Sequence, residues 1–507
     1  MKKKQVSVID VGSSAIRLTV AEMDGRGSWQ VLEQANKPIQ LGRDVFMAGR
    51  ISRNTTHEAI QILAGFLELS KAYGAEEVLA VGTSCLREAQ NRSTFLDLVS
   101  LHAGIRIRVI EEGEELRYIY LAALHGLGEI VLAPSDQTAA VLEVGAGNTH
   151  MLLMKEGTVE YARTLDLGTI RMIKELSRGL LNASSFSAFQ ERIAKTIRSL
   201  NLEHDLRSSE LVVGIGGDLR LAADRLGLSK DEAVTTVSAE ELSGYIQSLA
   251  KYLGDEERGL VDFEEEELES LLSALLVYDY MLRNSAAERV IVPWVSVSDG
   301  VLMDYALRLK GSGLETYRTH FLASARSVAG KYRADLVHAD KVAQYALKIF
   351  DALKEDFALA PRQRLFLEIA ALVHDIGKYV SLKEHHRHGQ YLIESETIFG
   401  LLDAERTIVG NLIRYHYGEA LQRRNRIHGA LSQEDQVGIV KMAAILRLAE
   451  ALDRGHEQKI VDFTLEKTEM DLVIHAETAA DITVEKIGVL AQSDMFEDVF
   501  GLKLILV

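Results

Sequence analysis

The sequence predicts an α/β fold for about the first 310 residues and a helical domain behind it. Buried strand patterns alternate there with helical patterns, and glycine-rich turns stand where strands end. The turns are Asp10-Val-Gly12, Val81-Gly-Thr83, Glu143-Val-Gly-Ala-Gly147 and Gly214-Ile-Gly-Gly217. Ligands of open α/β sheets bind beyond the carboxyl ends of the strands, so these turns are the first candidates for a site.

One strand and its turn occur twice. Val8-Ile-Asp-Val-Gly-Ser-Ser-Ala-Ile-Arg17 aligns with Val141-Leu-Glu-Val-Gly-Ala-Gly-Asn-Thr-His150. The aligned pairs are Asp10 with Glu143, Gly12 with Gly145 and Arg17 with His150. The repetition predicts two similar halves that enclose a cleft.

The pattern changes at about residue 311. Helical patterns such as Asp340-Lys-Val-Ala-Gln-Tyr-Ala-Leu-Lys-Ile-Phe350 follow, with few strand signals until about Lys459. Strand-like runs then return around one helix. We therefore expect two α/β halves at 1–125 and 126–310, a helical domain at 311–458 and a small α+β segment at 459–507.

Composition indicates an ordinary globular protein. The net charge of −17 argues against sequence-independent binding to DNA or to an anionic membrane, although a local basic cleft remains compatible with it. The sequence holds neither a signal-peptide pattern nor an apolar run of about 18 residues. Cys85 is the only cysteine, which excludes an intrachain disulfide. We expect a cytoplasmic protein.

The strand-end turns suit phosphoryl chemistry. Such chemistry needs donors for phosphate oxygens, a divalent ion and a carboxylate that orients the nucleophile. Glycine turns present backbone N–H groups, and Asp10 and Glu143 could hold Mg²⁺. Glu114 and Glu115 begin a helix after a strand and could supply the third carboxylate. They could equally act only to stabilise the helix, because an acidic side chain near a helix N-terminus contributes about 0.3–1 kcal/mol to its stability.

Five motifs in this order and spacing resemble the exopolyphosphatase / guanosine pentaphosphate phosphohydrolase (Ppx/GppA) family. They are Asp10-Val-Gly-Ser-Ser-Ala-Ile-Arg17, Gly82-Thr-Ser-Cys-Leu-Arg-Glu-Ala89 with Asn91, Gly113-Glu-Glu-Leu-Arg117, Leu167-Gly-Thr-Ile-Arg171 and Gly214-Ile-Gly-Gly217. The resemblance covers essentially the whole chain. It implies an actin-like (ribonuclease H-like) ATPase fold in two halves, with an HD-type helical domain behind them.

The resemblance also implies roles for individual residues. Glu115 falls on the family's catalytic base and Glu143 on its metal-binding aspartate. The first phosphate loop would comprise Asp10, Gly12, Ser13 and Arg17, and the rest of the phosphate site Thr83, Arg87, Gly145, Gly147, Asn148, Gly216 and Gly217. The implied substrates are inorganic polyphosphate or guanosine pentaphosphate, with Mg²⁺. A homodimer is also implied, although no heptad pattern in the sequence indicates one.

The chain departs from the family pattern around this cleft. Glu143 replaces an aspartate, Ala146 adds a Cβ where backbone approaches phosphate, and His150 replaces a carboxylate. Asp218 stands where a threonine is common, and Ser298 where an arginine is usual. Several changes around one cleft indicate an altered or lost activity.

A second constellation lies in the helical domain. His338, His374-Asp375 and Asp453, each on its own predicted helix, resemble the H…HD…D order of the HD phosphohydrolase superfamily. Imidazoles and carboxylates together suit Mn²⁺, Fe²⁺ or Mg²⁺. His386, His388 and His416 could complete a second metal site, or could be hydrogen-bonding residues without a metal.

Three functions stay open at this point. The first is a phosphoanhydride hydrolase that acts through the α/β cleft. The second is a hydrolase of the HD type, in which the α/β half only binds a nucleotide or polyphosphate. The third is a non-catalytic sensor of guanosine tetraphosphate or a related molecule, motivated by the altered second loop.

Overall fold

The chain forms two compact units in a computed structural model, residues 1–313 and 314–507. The structure describes residues 3–24, 28–128, 137–176, 183–200, 203–228, 234–254, 265–310, 317–417 and 431–507. Among these, no helix is long and apolar enough to cross a membrane. The finer division into four parts stays a prediction.

The first unit is built from alternating strands and helices, as predicted. Its strands are β1 (Lys4–Val11), β2 (Ala15–Met23), β3 (Trp29–Pro38), β4 (Glu77–Gly82), β5 (Arg108–Val109), β6 (Thr138–Val144), β7 (Thr149–Lys155), β8 (Thr158–Leu165), β9 (Ser209–Ile215), β10 (Val234–Ser238) and β11 (Arg289–Pro293). Its helices are α1 (Leu41–Ala48), α2 (Arg53–Ala72), α3 (Ser84–Glu88), α4 (Arg92–Ala103), α5 (Glu112–Leu127), α6 (Thr169–Leu176), α7 (Ala183–Arg198), α8 (Glu203–Arg207), α9 (Gly217–Arg225), α10 (Ala239–Gly254), α11 (Glu265–Arg283) and α12 (Val297–Leu309).

Two sheets share a five-strand topology, to which the second adds the antiparallel edge strand β10. The first has the strand order β3-β2-β1-β4-β5 and the second β10-β11-β9-β6-β7-β8. In each, an antiparallel three-strand meander is extended by parallel strands beside its first strand. Asp10 pairs with Arg17 across β1 and β2, and Glu143 pairs with His150 across β6 and β7. The predicted repeat is therefore confirmed in fold and in register.

Burial explains where the carboxylates stand. The last six residues of β1 and all but two residues of β6 are buried, because helices cover these parallel-paired strands. Each sheet has its own apolar core, around Ile9 and Leu18 in the first and Leu142 and Leu153 in the second. Apolar side chains fill both cores. The polar side chains therefore lie outside them, at the ends of β1 and β6.

The second unit is helical up to residue 451 in its described part and ends in a three-stranded sheet. Its elements are α13 (Arg318–Lys331), α14 (Leu336–Leu353), α15 (Pro361–Val373), a 3-10 turn (Ile376–Tyr379), α16 (His385–Ser395), α17 (Asp403–Tyr415), α18 (Gln433–Ala451), β12 (Ile460–Lys467), β13 (Asp471–Thr478), α19 (Thr483–Phe500) and β14 (Lys503–Leu506). The sheet has the order β12-β13-β14, and α19 packs against α18.

Candidate functional site

A cavity of about 600 Å³ opens in the first unit where the two repeated hairpins turn. This volume lies within the usual range of small-molecule sites. The predicted residues that line it are Asp10, Gly12, Ser13, Arg17, Thr83, Glu115, Glu143, Gly145, Gly147, Asn148, Gly216 and Gly217. Of the residues predicted to bind phosphate or metal or to act in catalysis in this cleft, Arg87 alone is not among the lining residues. Among the acids of the lining, Asp10 and Glu115 are buried and Glu143 is half-buried, and these three stand at the ends of different elements.

The two hairpin carboxylates are poorly compensated by protein groups. Asp10 Oδ2 lies 3.3 Å from Nη1 of Arg17, and Asp10 Oδ1 is buried with no hydrogen-bond partner among the described residues. Burial raises the pKa of Asp10, and burial raises that of Glu143 to about 7. A divalent cation would supply the missing charge and the missing partner, so the donor set fits Mg²⁺.

Glu115 is compensated by two cationic side chains. Its Oε2 accepts a hydrogen bond from Nη2 of Arg87 at 3.0 Å, and its Oε1 lies 3.4 Å from Nε2 of His150. Burial alone would raise the pKa of Glu115, but His150 and Arg87 outweigh it and lower that pKa. Arg87 also donates to the carbonyl of Ile110 at 2.8 Å. Arg87 therefore holds Glu115, instead of lining the cavity as predicted.

Glu114, the neighbour of Glu115 in the first turn of α5, has a different role. It faces a network with Nη1 of Arg108 at 2.6 Å and the hydroxyl of Tyr118 at 2.7 Å. Arg117, Nη2 of which lies 3.7 Å from Glu114, also pairs with Asp304. Since consecutive helix residues point about 100° apart, one glutamate serves the helix packing and the other reaches the cleft.

The two loops have the same turn. The N–H of Gly12 donates to the carbonyl of Ala15 at 3.1 Å, and the N–H of Gly145 donates to that of Asn148 at 2.9 Å. Gly168 packs so closely on the second loop that a Cβ there would lie 2.0 Å from the carbonyl carbon of Gly147. The motif Leu167 to Arg171 thus fixes the loop.

Several residues in the cavity lining or packed behind it carry no sequence signal of their own. Ser270 in α11 lies 3.4 Å from Asp218, measured from Oγ to Oδ2, and Arg220 donates to the carbonyl of Val295. Tyr278, fully buried, accepts from the N–H of Val144 at 3.2 Å and donates to the carbonyl of Ile215 at 2.6 Å, so it ties β6 to β9. These side chains lie on α9 and α11, and their positions around the cavity follow only from the tertiary fold.

Asp218 is the departure with the clearest electrostatic consequence. It is the second residue of α9, lines the cavity and is half-buried. Burial raises its pKa to about 6. Ser298, by contrast, is buried inside α12 and is not among the lining residues described.

A second polar cluster is buried in the second unit, where helix ends meet. His338 stands in the first turn of α14, where the side chain of Asp335 caps the helix. His374 follows α15, and His416 follows α17. Asp375 continues directly from His374.

The described residues offer two groups of three ligand atoms that lie within 4.8 Å of one another. One group is His338, Asp375 and His456, and the other is His374, Asp375 and His416. Nε2 of His338 and Nε2 of His374 are buried and accept no hydrogen bond from any described residue. Nδ1 of His374 lies 2.7 Å from the carbonyl of Ala371, which fixes the ring and leaves Nε2 for a ligand.

Only one of the three histidines predicted for a second metal site belongs to these groups. His416 is in a group, whereas His386 and His388 are in neither group of the described cluster. His385, which we did not predict, stands closer: its Nε2 lies 3.3 Å from Nε2 of His416 and 3.7 Å from Oδ1 of Asp375. The run of histidines in the sequence indicates that this segment is a candidate. Which of its rings lies near His416 and Asp375 depends on where α16 begins.

Family comparisons cover most of the chain. The Ppx/GppA phosphatase family matches residues 19–309, and domain III of the Ppx/GppA phosphatases matches residues 322–495. A guanosine-5'-triphosphate,3'-diphosphate pyrophosphatase of Photobacterium profundum is 22% identical over 475 residues, 92% of this chain and 90% of that protein. One of the same name from Vibrio campbellii is 23% identical over 496 residues, 94% of this chain and 95% of that protein.

Solved structures are also similar. The crystal structure of the Aquifex aeolicus Ppx/GppA family member has a TM-score of 0.50 and 23% identity, and covers 61% of this chain and 99% of that one. An exopolyphosphatase from Cytophaga hutchinsonii has a TM-score of 0.54 and 15% identity, with coverage of 61% and 98%. These likenesses confirm the actin-like α/β fold.

Proposed function

The chain belongs to the Ppx/GppA phosphatase family, and from this premise we propose that the cleft of its first unit hydrolyses a terminal phosphoanhydride. The observation that carries the proposal is the meeting of Asp10, Glu115 and Glu143 between two glycine loops in one cavity. Carboxylates and backbone donors at strand ends are what phosphoryl transfer requires.

Each carboxylate has a separate task in this proposal. Asp10 and Glu143 would hold Mg²⁺, which when bound spreads the charge of the transferred phosphoryl group. Glu115, kept ionised by Arg87 and His150, orients a water molecule and accepts its proton. Arg17 and the loop amides hold phosphate oxygens.

The reaction is a hydrolysis that balances without a further reactant. Water adds to the terminal phosphorus, and the bond between that phosphorus and the bridging oxygen breaks. The products are inorganic phosphate and a chain shorter by one phosphate. The proton of the water passes through Glu115 to solvent.

The substrate we propose is guanosine pentaphosphate or inorganic polyphosphate. The relatives named for the guanosine compound span nearly the whole chain, and a solved relative that covers 61% of this chain is named an exopolyphosphatase. Both substrates end in a phosphoanhydride. A cytoplasmic location and a homodimer complete the proposal, and size-exclusion chromatography with light scattering tests the latter.

Glu115→Gln in the full chain tests the mechanism. Phosphate release from both substrates with Mg²⁺ should fall about 10²–10⁴-fold, the usual contribution of a general base. Glu112→Gln, a change of the first residue of α5, is the matched control and should retain activity. Full activity of Glu115→Gln would refute the assignment. Tight binding of guanosine tetraphosphate without release from either substrate would leave only the sensor.

A second candidate function is favoured by the helix-end cluster of the second unit. We propose an HD-type metal site there, with Mn²⁺ or Fe²⁺ held by residues from the set His338, His374, Asp375 and Asp453. The support is the pair of buried imidazole nitrogens without hydrogen-bond partners, beside the Asp375 carboxylate. When bound, such an ion lowers the pKa of a water molecule and so supplies hydroxide for phosphate ester hydrolysis.

Asp375→Ala separates the two candidates. If the second unit hydrolyses phosphate, the variant loses both retained metal and phosphate release. If the first unit does so, the variant loses only the metal. Metal content by mass spectrometry and phosphate release measure the two outcomes.

A further inference from the structure

Arginine side chains reach the cavity of the first unit from different elements. Among the described residues that line it, the arginines are Arg17 of β2, Arg43 of α1 and Arg220 of α9. Arg43 is exposed, whereas Arg17 and Arg220 are half-buried. Arg17 belongs to the first sheet, and Arg220 follows the last strand-end turn, Gly214-Ile-Gly-Gly217, of the second. Two half-buried guanidinium groups therefore enter the cavity from the two sheets.

The position of Arg220 is unfavourable for a cation. Arg220 is the fourth residue of α9, and the N-terminal turn of a helix carries a partial positive charge. Burial and the positive charge of Arg17 lower the pKa of Arg220, although the acids Asp299 and Glu143 act in the opposite direction. A bound anion would remove the repulsion between the two arginines and supply the missing negative charge.

One protein contact holds the guanidinium group of Arg220. Its Nη1 donates to the carbonyl of Val295, in the loop between β11 and α12. Nε and Nη2 have no hydrogen-bond partner among the described residues. Since a guanidinium group carries five N–H donors, most of its donors are available to a ligand. The contact with Val295 keeps the group in place before a ligand arrives.

Asp218 is the alternative partner that the sequence offers to Arg220. It lies two residues earlier in α9, and Arg220 is among the causes that oppose the rise in the pKa of Asp218. No ion pair joins the two described side chains, and Oδ2 of Asp218 lies 3.4 Å from Oγ of Ser270. Asp218 therefore attracts Arg220 from a distance and leaves its donors unoccupied.

No other strong cation stands on this side of the cavity in the described part of the chain. Position 298, where an arginine is usual, holds a serine that is buried outside the lining. The hydroxyl of Ser298 has no hydrogen-bond partner among the described residues. Among the described lining residues that follow Glu143, Arg220 is the only arginine or lysine.

We propose that Arg220 binds an oxygen of the terminal phosphoryl group together with Arg17, so that guanidinium groups from the two sheets hold the group that is transferred. The inference rests on the hydrolysis proposed for this cleft. Bonds from guanidinium groups to phosphate are charge-assisted, and donors held in place before the reaction stabilise charge that develops on the phosphoryl oxygens. Arg220 thus supplies the cation that Ser298 does not.

Arg220→Gln and Arg220→Lys in the full chain test the proposal. Both replacements keep an N–H donor for the carbonyl of Val295, and only lysine keeps the charge. Calorimetric titration with inorganic phosphate in the presence of Mg²⁺ measures binding. Phosphate release from polyphosphate and from guanosine pentaphosphate measures turnover, and the melting temperature of each variant reports folding.

Arg220→Gln should weaken phosphate binding and lower kcat/KM by roughly 10–100-fold each, the equivalent of one hydrogen bond to a charged group. Arg220→Lys should keep more of both, because the charge remains. Arg225→Gln, a change of an exposed arginine in the last turn of the same helix, is the matched control and should behave like the wild type.

The outcomes are separable. Wild-type phosphate binding and release in Arg220→Gln would overturn the inference and leave the proposed hydrolysis standing. Equal losses in Arg220→Gln and Arg220→Lys, with a lower melting temperature in both, would also overturn it, because they would assign Arg220 to the contact with Val295. If the wild type binds phosphate but releases none from either substrate, the hydrolysis is refuted, and weaker binding by Arg220→Gln alone would still support the inference.

Discussion

His150→Gln should shift the acid limb of the pH–rate profile to higher pH. His150 lies 3.4 Å from Oε1 of Glu115 and is fixed from behind by Thr164, Oγ1 of which is 2.9 Å from Nδ1. Burial of Glu115 disfavours its ionised form, and His150 is the largest of the opposing causes that lower its pKa. Glutamine keeps a polar side chain of similar reach but carries no charge.

The size of the shift follows from the contact. Nε2 of His150 and Oε1 of Glu115 form an ion pair at 3.4 Å, and opposite unit charges about 4 Å apart attract by about 1–4 kcal/mol between bulk water and the surface of a protein. Loss of this attraction should raise the pKa of Glu115, and at about 1.4 kcal/mol per pH unit the acid limb of the profile should move up by roughly one pH unit or more. Since the proposed mechanism uses the ionised carboxylate of Glu115, activity should be lost at a higher pH than in the wild type as the pH falls.

Phosphate release measured from pH 5 to 9 with Mg²⁺ gives the assay, because kcat/KM reports groups of the free enzyme. His102→Gln, a change of an exposed histidine in α4, is the control and should leave the profile in place. An acid limb that stays put or moves to lower pH in His150→Gln would refute the pairing of His150 with the working form of Glu115.

Three further predictions concern other parts of the chain. Asp218→Thr should lower KM for polyphosphate several-fold at pH 8 and change it little at pH 5, because the pKa of Asp218 near 6 leaves a repelling charge only at the higher pH; steady-state kinetics at both values measure this. Gly168→Ala should lower the free energy of unfolding by about 1–3 kcal/mol and abolish activity, because the added Cβ would clash with the carbonyl of Gly147. In the control Gly244→Ala, in α10, the added Cβ meets no neighbouring atom, so stability should stay the same or rise. Denaturant unfolding compares the two variants. Asp375→Asn should remove the thermal shift that Mn²⁺ gives the wild type, because Asp375 belongs to both ligand groups; calorimetric melts with and without Mn²⁺ check it.

Local chemistry explains what the sequence could predict. The hairpins around Asp10 and Glu143 were predictable because strand burial and the glycine turn are encoded within ten residues, and the register follows once the turn is set. The H…HD…D order also predicted that His338 and Asp375 lie near each other, and one group of closely spaced ligand atoms holds both. Their role as metal ligands stays a prediction.

The contacts that individual side chains make could not be predicted in the same way. Arg87 fits a phosphate or a carboxylate equally well, and only the fold brings Glu115 to 3.0 Å from it. His385 and His456 stand at the start of a helix and in a loop with a left-handed residue, where no periodicity tells which way a ring points. Such side chains are placed by tertiary contacts between elements distant in sequence.

The substitutions of the second loop act together on the charge of the cleft. A carboxylate at position 150 would stand opposite Glu143 and within reach of Glu115, so three acids would lie close together in the cleft. Histidine reverses this: burial opposes its charged form, but Glu115 and Glu143 outweigh burial and raise its pKa. Imidazolium there offsets an acid that the longer Glu143 side chain brings into the cavity. The changes thus compensate one another around Glu115, which is the pattern expected if the cleft has kept a working carboxylate and retuned its surroundings.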